Sequence, residues 1–565
     1  TDAAAVARLR DRKQRWARPF AVMVRDVEAA RALAVLSDEE EALVTSPARP
    51  IVLLERRGGG RPRAGGGRPL ADGVAGLEDD PGRATALNRR IGLFLPYTPL
   101  HHLLLEGFGR PIVLTSGNLS DEPLATDDAE ALERLSGIAD SFLAHDREIR
   151  ARYDDSVTRV VGGRESIIRR GRGYAPEPLP LPVALPAGAT VLAAGAELKH
   201  TFTLARGARA HVAPHTGDLE DLLTYRAFET NLAHLRRLLD LEPAYVAHDL
   251  HPAYLSTQYA AREFEEGRRI GVQHHHAHVA SAAAEAGLAG EVIGVAFDGL
   301  GMGDDGTFWG GEVLVATLAT CRRVARFGYA PMPGGALAVK KPYRMALGYL
   351  LAAEAFEPED PVGSVEVADW LPAEPVRAFL DRLDPREVEV VRVQLARGLN
   401  APRISSAGRL FDAAASLLGI RDVVEYEAQA AMELELLAAE GAHEPLPYGL
   451  TRCGHLLVYD PRPTLAALLE ARANGEGVEP LAARFQETIA AVTADIVEDV
   501  RRDTGLATVV LSGGVFQNQW LAETLVRRLG AAGFEVHTNH LVPANDGGIS
   551  YGQAAVAAAR LASQE

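Results

Sequence analysis

Residues 270–280, Ile270-Gly271-Val272-Gln273-His274-His275-His276-Ala277-His278-Val279-Ala280, open on a short apolar run and pass into an alanine-rich segment. This reads as a strand handing over to a helix. His274 and His278 stand four apart, so on a helix their imidazoles leave one face and could share a metal ion. His275 and His276 point elsewhere. A lone pair of this kind also arises from ordinary packing, so two carboxylates matter. Asp298 ends the apolar run 292–297, and Asp546 lies in Pro543-Ala544-Asn545-Asp546-Gly547-Gly548. Both sit where a strand gives way to a turn, the usual place for site residues on α/β scaffolds. Two imidazoles and two carboxylates suit iron(II), manganese or zinc, and magnesium less well.

Outward from this stretch the pattern repeats. Upstream, segments near 191–195, 201–204 and 210–213 read as a three-strand meander. A helix near 219–239, a strand at 245–249 and a helix near 255 follow. Downstream, strands at 292–297 and 307–315 restart the theme. Strand meander, helix, strand, helix, made twice, is the plan of a two-lobed actin-like nucleotide-binding fold. The expected lobes are 189–290 and 291–565, with a charged helical insertion near 355–400. Ser512-Gly513-Gly514 follows an apolar strand and opens a helix, where backbone N–H groups could meet a phosphate. Tight packing would explain the same glycines, but the place of the turn in the repeated theme favours the phosphate. Asp412 could accept from a ribose, or be a solvated helix residue.

Residues 1–178 form a separate unit. A basic helix carrying Lys13 and Arg15 precedes the strand Pro19-Phe20-Ala21-Val22-Met23-Val24. Strand 111–114 ends in Thr115-Ser116-Gly117-Asn118, a turn able to cradle an anion. His145-Asp146-Arg147 and Arg169-Arg170-Gly171-Arg172 add cations. Any one of these could be a plain surface turn; together they suggest a basic pocket. The glycine- and arginine-rich stretch 56–68 reads as a mobile loop. PEPLPLPVALP, with five prolines in eleven residues, marks a boundary, and 179–188 is expected to be a linker.

Composition narrows the class. The chain has 565 residues, a net charge of −17 and two cysteines. An acidic chain is not a general nucleic-acid binder. Two cysteines without a CxxC exclude a disulfide framework and a cysteine zinc finger in this sequence. No apolar run of spanning length and no signal-peptide plan is present, so a cytoplasmic setting is expected.

The segments PFAVMV, LPYTPLHHLL, TSGNLSDEP, HDREI, RRGRGYAP, GAELKHTF, HDLHPAYLST, QHHHAH, FDGLGMGDDGTFWGGE, GRLFDAAASLLG, EAQAAMELE, LSGGVFQN and NDGGIS, in this order, resemble the HypF carbamoyltransferases of NiFe-hydrogenase maturation. The resemblance implies a YrdC-like α/β domain at 1–178, followed by a metal-dependent actin-like domain. It implies that carbamoyl phosphate and ATP yield carbamoyl-adenylate, and that the carbamoyl group passes to the C-terminal cysteine of HypE. The expected cofactors are ATP and a divalent metal; the expected partner is a HypE-type protein, with no nucleic acid or membrane. Carried over by motif, His274, His278, Asp298 and Asp546 would bind metal. Gly310, Gly311, Gly408, Asp412, Gly513, Gly514 and Asn518 would line the nucleotide. Lys13, Arg15, Ser116, Asn118, His145 and Arg147 would line the first pocket, with Lys13, Arg15, His145 and Arg147 catalytic. Against the family pattern, no acylphosphatase-like region, no zinc finger and no KGxGG strand are found in the sequence. Two alternatives stay open: carbamoyl transfer to a small-molecule hydroxyl, and a catalytically silent nucleotide-binding scaffold.

Overall fold

The computed structural model describes residues 2–15, 18–57, 89–120, 122–352 and 373–564. The loop expected at 56–68 falls outside them from 58 on, as does the 355–372 part of the insertion. The chain divides into two compact units: one runs to Gly271 and takes up the segment from Asn539 on, and the other spans Val272–Thr538.

Among the described residues the first unit holds two sheets. Strands Ala21–Met23 (β1), Ala34–Val35 (β2), Ile51–Arg56 (β3), Arg90–Phe94 (β4), Ile112–Leu114 (β5), Val157–Val161 (β6) and Arg164–Arg169 (β7) form a mixed sheet. Their order is β5-β1-β4-β3-β6-β7, with β2 paired to β3. Alternation builds two buried faces. Val22, Val24, Val52, Leu54 and Leu93 pack in one cluster, and Met23 and Phe94 pack against Leu105 in another. Each such side chain contributes roughly 1.5–3 kcal/mol on burial. The helix Ala3–Lys13, capped by Asp2, delivers Lys13 to this domain.

The second sheet comprises Pro178–Pro180 (β8), Thr190–Ala193 (β9), Thr203–Arg206 (β10), Arg209–Val212 (β11), Tyr245–Asp249 (β12) and Arg269–Val272 (β13). Its order is β13-β12-β9-β10-β11-β8. The meander is antiparallel, and β12 joins β9 in parallel. Two departures from the sequence reading appear here. The proline-rich segment expected as a linker begins within a strand, because β8 pairs with β11; proline suits an edge strand. The last helix, Ile549–Ala562, belongs to this unit rather than to the second lobe. Gln553 exchanges hydrogen bonds with both backbone groups of Gly195, at 2.8 and 3.2 Å.

The second unit repeats the plan. Val292–Met302 (β14), Phe308–Ala316 (β15) and Cys321–Phe327 (β16) form the meander. Ala330–Pro331 (β17), Arg403–Ile404 (β18), Gly449–Cys453 (β19), Leu456–Asp460 (β20), Thr508–Ser512 (β21) and Glu535–Thr538 (β22) complete the sheet. β21 lies parallel to β14, as β12 does to β9. The described part of the insertion is helical, Ala373–Leu380 and Pro385–Ala396. No described helix is long and apolar enough to cross a membrane.

Candidate functional site

The helix His274–Glu285 starts at Gln273, whose side-chain oxygen accepts from the His276 backbone N–H at 2.8 Å. All four histidines of the helix are buried. Two have structural partners: His275 Nδ1 meets the Gln273 amide at 3.1 Å, and His276 Nε2 meets the Thr317 carbonyl at 2.8 Å. Burial, reinforced by His274, holds the His275 pKa well below the usual range, so that ring is neutral. His274 and His278 face Asp298 instead. Their Nε2 atoms lie 3.4 and 3.7 Å from Asp298 Oδ2. These separations exceed ordinary hydrogen-bond length. A tetrahedron of ~2.1 Å bonds has edges of about 3.4 Å, so they suit atoms sharing one ion. The donor set of two neutral-capable imidazoles and a carboxylate fits zinc, iron(II) or manganese.

The strand is shaped for this. The β14/β15 ladder breaks register between Phe297 and Gly301, a bulge that re-aims the Asp298 side chain. Gly301 passes directly under the rings; a Cβ there would sit 2.5 Å from His274 Cδ2.

The Gly-Gly turn is tied to the same carboxylate. Gly514 N–H donates to Asp298 Oδ1 at 2.9 Å. Gly513 has φ +103°, and a Cβ would lie 2.2 Å from the Phe297 carbonyl oxygen. Tight packing therefore accounts for that glycine. Asn518 caps the helix Gln519–Ala531 through Leu521 N–H and donates to Gln486 Oε1. Asp412 is not a solvated helix residue: it is buried against Arg409 at 2.8 Å, and burial pushes its carboxyl up to about 6. Gly408 packs against the Asp298–Gly299 backbone.

Gly310 and Gly311 give their N–H groups to Glu312 Oε1, at 3.0 and 3.1 Å. Glu312 escaped the sequence reading. It is fully buried and also accepts from Ser405 Oγ and Arg323 Nε, each at 2.6 Å. Arg323 reaches Asp305 and lies over the Trp309 ring. The signal was a carboxylate inside the strand pattern Gly-Gly-Glu-Val-Leu-Val, which demands a buried partner.

The first unit holds a second cluster. Lys13 Nζ donates to the Ser116 carbonyl at 2.8 Å and lies 3.2 Å from Asn118 Oδ1, and Ser116 Oγ meets the same oxygen at 2.7 Å. Burial, helped by Arg15, lowers the Lys13 pKa to about 8. Arg15 donates to the Pro19 carbonyl and lies over the Phe20 ring. His145 and Arg147 lie on an exposed loop, joined to each other through the Arg147 N–H. Among the described residues no hydrogen bond or ion pair links them to the Lys13 cluster. Asp546 opens the short turn Asp546–Gly548 ahead of the last helix, in the first unit.

A YrdC-like sheet and an actin-type plan with a buried His–His–Asp cluster, in one chain, define the carbamoyltransferases with a Kae1-like domain. Three family models agree: "Telomere recombination" over residues 1–171, "HypF Kae1-like domain" over 186–285, and "Carbamoyltransferase, Kae1-like Domain, second subdomain" over 294–553. The chain belongs to the HypF carbamoyltransferase family. It is 41% identical to carbamoyltransferase HypF2 of Cupriavidus necator, covering 99% of this chain and 70% of that one. It is 40% identical to HypF of Rhodobacter capsulatus, covering 100% and 70%. A crystal structure of full-length HypF in the phosphate- and nucleotide-bound form superposes with a TM-score of 0.88 at 42% identity, over 99% of this chain and 68% of that one. HypF of T. kodakarensis gives 0.84 at 32% identity, over 100% and 71%.

Proposed function

We propose that this chain forms carbamoyl-adenylate in its YrdC-like domain and passes the carbamoyl group to a protein thiol at its Kae1-like domain. The acceptor is the C-terminal cysteine of a HypE-type protein, on the way to the cyanide ligands of NiFe hydrogenase. The observation that carries this reading is the buried His274–His278–Asp298 cluster at ligand spacing, within a chain of this family.

Carbamate is a weak acyl donor because its nitrogen feeds the carbonyl and oxide is a poor leaving group. Carbamoyl phosphate, ATP and water would give carbamoyl-adenylate, pyrophosphate and phosphate. Lys13 and Arg15 are the cations we assign to the anionic substrates, with Ser116 and Asn118 shaping the turn; His145 and Arg147, on their exposed loop, are assigned to the same substrates. In transfer, the cysteine thiolate attacks the carbamoyl carbon. The S–C bond forms, the C–O bond to AMP breaks, and the thiol proton leaves to solvent. His274, His278, Asp298 and Asp546 would hold a divalent ion, which supplies Lewis-acid neutralisation of charge near the leaving phosphate. Gly310, Gly311, Gly408, Asp412, Gly513, Gly514 and Asn518 are assigned to the nucleotide side. Since Gly310 and Gly311 spend their N–H groups on Glu312, they would serve by allowing close approach rather than by donating.

The test is pyrophosphate exchange into ATP. Exchange that depends on carbamoyl phosphate, and not on threonine plus bicarbonate, supports the reading. The opposite dependence would move the chain to threonylcarbamoyl chemistry.

A further inference from the structure

The bulge that carries Asp298 has carbonyl groups to satisfy. β14 keeps register with β15 as far as Phe297 opposite Gly311 and resumes it at Gly301 opposite Trp309. Its register with β21 ends at Ala296. Residues 298–300 therefore lie outside both ladders. A buried carbonyl left without a donor costs free energy comparable to a lost hydrogen bond. Ser406 supplies that donor: its Oγ lies 3.2 Å from the Asp298 carbonyl oxygen and also donates to the Gly299 carbonyl.

A serine hydroxyl has one proton and two lone pairs. Here the proton is shared by the two carbonyls of the bulge. A lone pair accepts the Arg409 N–H at 3.0 Å, which caps the helix Ala407–Leu417. Ser406 is fully buried. Its neighbour Ser405 is bonded to Glu312 on β15 at 2.6 Å, so the start of the helix is fastened to the sheet. The fit around the bulge is close. A Cβ on Gly310 would lie 2.8 Å from the Asp298 carbonyl oxygen, and one on Gly408 would lie 3.2 Å from it. The Asp298 backbone is thus held by Ser406, while Gly514 N–H holds its carboxylate.

We propose that Ser406 fixes the Asp298–Gly299 bulge and thereby sets the affinity of the His274, His278 and Asp298 cluster for a divalent ion. Ser406 is a positioning residue. The inference rests on these three residues, all within the second unit, binding the ion. A ligand carboxylate must be held within about 0.5 Å of its productive place, so the groups that fix its backbone govern affinity. Losing an orienting partner typically costs about 10–100-fold in metal binding.

The experiment measures Zn²⁺ dissociation constants by chelator competition on the full chain, alongside the unfolding midpoint of the metal-free protein. Ser406→Ala removes both the donor and the helix cap, and should weaken Zn²⁺ binding about 10–100-fold. Asp384→Ala removes a cap elsewhere in the second unit, on the helix Pro385–Ala396. It should lower the metal-free midpoint and leave Zn²⁺ binding within about twofold of wild type. Ser406→Gly removes the hydroxyl at a capping position that tolerates glycine; it should weaken binding like Ser406→Ala, and it decides the matter if Ser406→Ala does not fold. His278→Ala is the reference for loss of a ligand. If His278→Ala loses Zn²⁺ while the Ser406 variants bind within about twofold of wild type, the positioning role is overturned and the ligand assignment stands. The role is also overturned if Asp384→Ala weakens binding as much as Ser406→Ala. If His278→Ala binds normally, the ligand assignment fails and takes this inference with it.

Discussion

The carboxylate of Asp298 is shared: Oδ1 accepts the Gly514 N–H at 2.9 Å, while Oδ2 faces His274 and His278. One side chain therefore joins the Gly-Gly turn to the histidine pair. Asp298→Asn can keep an oxygen on Gly514 but must turn its amide nitrogen toward the histidines. The expected outcome is a folded protein with an intact turn and metal affinity lower by more than about 100-fold, beyond the loss typical of an outer partner. Asp298→Ala should lose stability as well, by about 1–3 kcal/mol for the unsatisfied Gly514 N–H. Denaturant titrations and metal analysis of the pair separate the two roles; equal metal content in Asp298→Asn and wild type would refute the assignment.

His278→Ala removes one imidazole from the cluster. Bound metal and carbamoyl transfer to the acceptor should both be lost. Carbamoyl-phosphate-dependent ATP–pyrophosphate exchange should persist, because it is assigned to the YrdC-like domain. A folded His278→Ala protein without exchange would show that adenylation also needs the metal domain.

Lys13 gives exchange a distinctive pH profile. Burial, with Arg15 nearby, lowers its pKa to about 8, and only the cation attracts phosphate. The sign follows: kcat/KM for exchange should fall as pH rises through about 8, by roughly tenfold between pH 7 and 9. Lys13→Arg stays charged throughout and should flatten the profile. A wild-type profile that is level to pH 9 would remove Lys13 from anion binding.

Glu312 organises a buried network that depends on its charge. Glu312→Gln would leave Arg323 with Asp305 as its remaining described carboxylate partner. Stability should fall by about 3 kcal/mol, the lower end for breaking a buried pair. Urea denaturation measures this, and a change under 1 kcal/mol would mean the network is dispensable.

Transfer should also respond to the acceptor. A cysteine thiolate is the nucleophile, so transfer should rise toward a pH of about 8.5 and vanish when the partner's terminal cysteine becomes serine. Labelling of the serine variant at the wild-type rate would exclude thiol transfer.

Local pattern carries far in this chain. Apolar spacing located the two meanders, and the i,i+4 spacing of His274 and His278 put both rings on one face, because strand and helix periods are written in consecutive residues. Family motifs added the YrdC-like domain. What local pattern lacks is partner choice. Glu312 follows Gly310 and Gly311 directly, yet no local period says that its carboxylate takes their N–H groups and also Ser405, 93 positions away. Asp412 read as a ribose acceptor or a solvated helix residue, and its burial against Arg409 was visible only once the surrounding core was in place. The final helix looked like the end of the second lobe because it follows it in sequence. Its alanine-rich surface fits many partners, and the choice was made by Gln553 on Gly195 and Ser550 on Thr201 and Thr203. The sequence by itself determined which elements form, which faces are apolar and which residues could serve as ligands. Tertiary structure decided which unit each element joins and which distant partners its buried donors and acceptors find, since pairings such as Ser405 with Glu312 and Gly195 with Gln553 close loops of 93 and 358 residues and leave no local period to read.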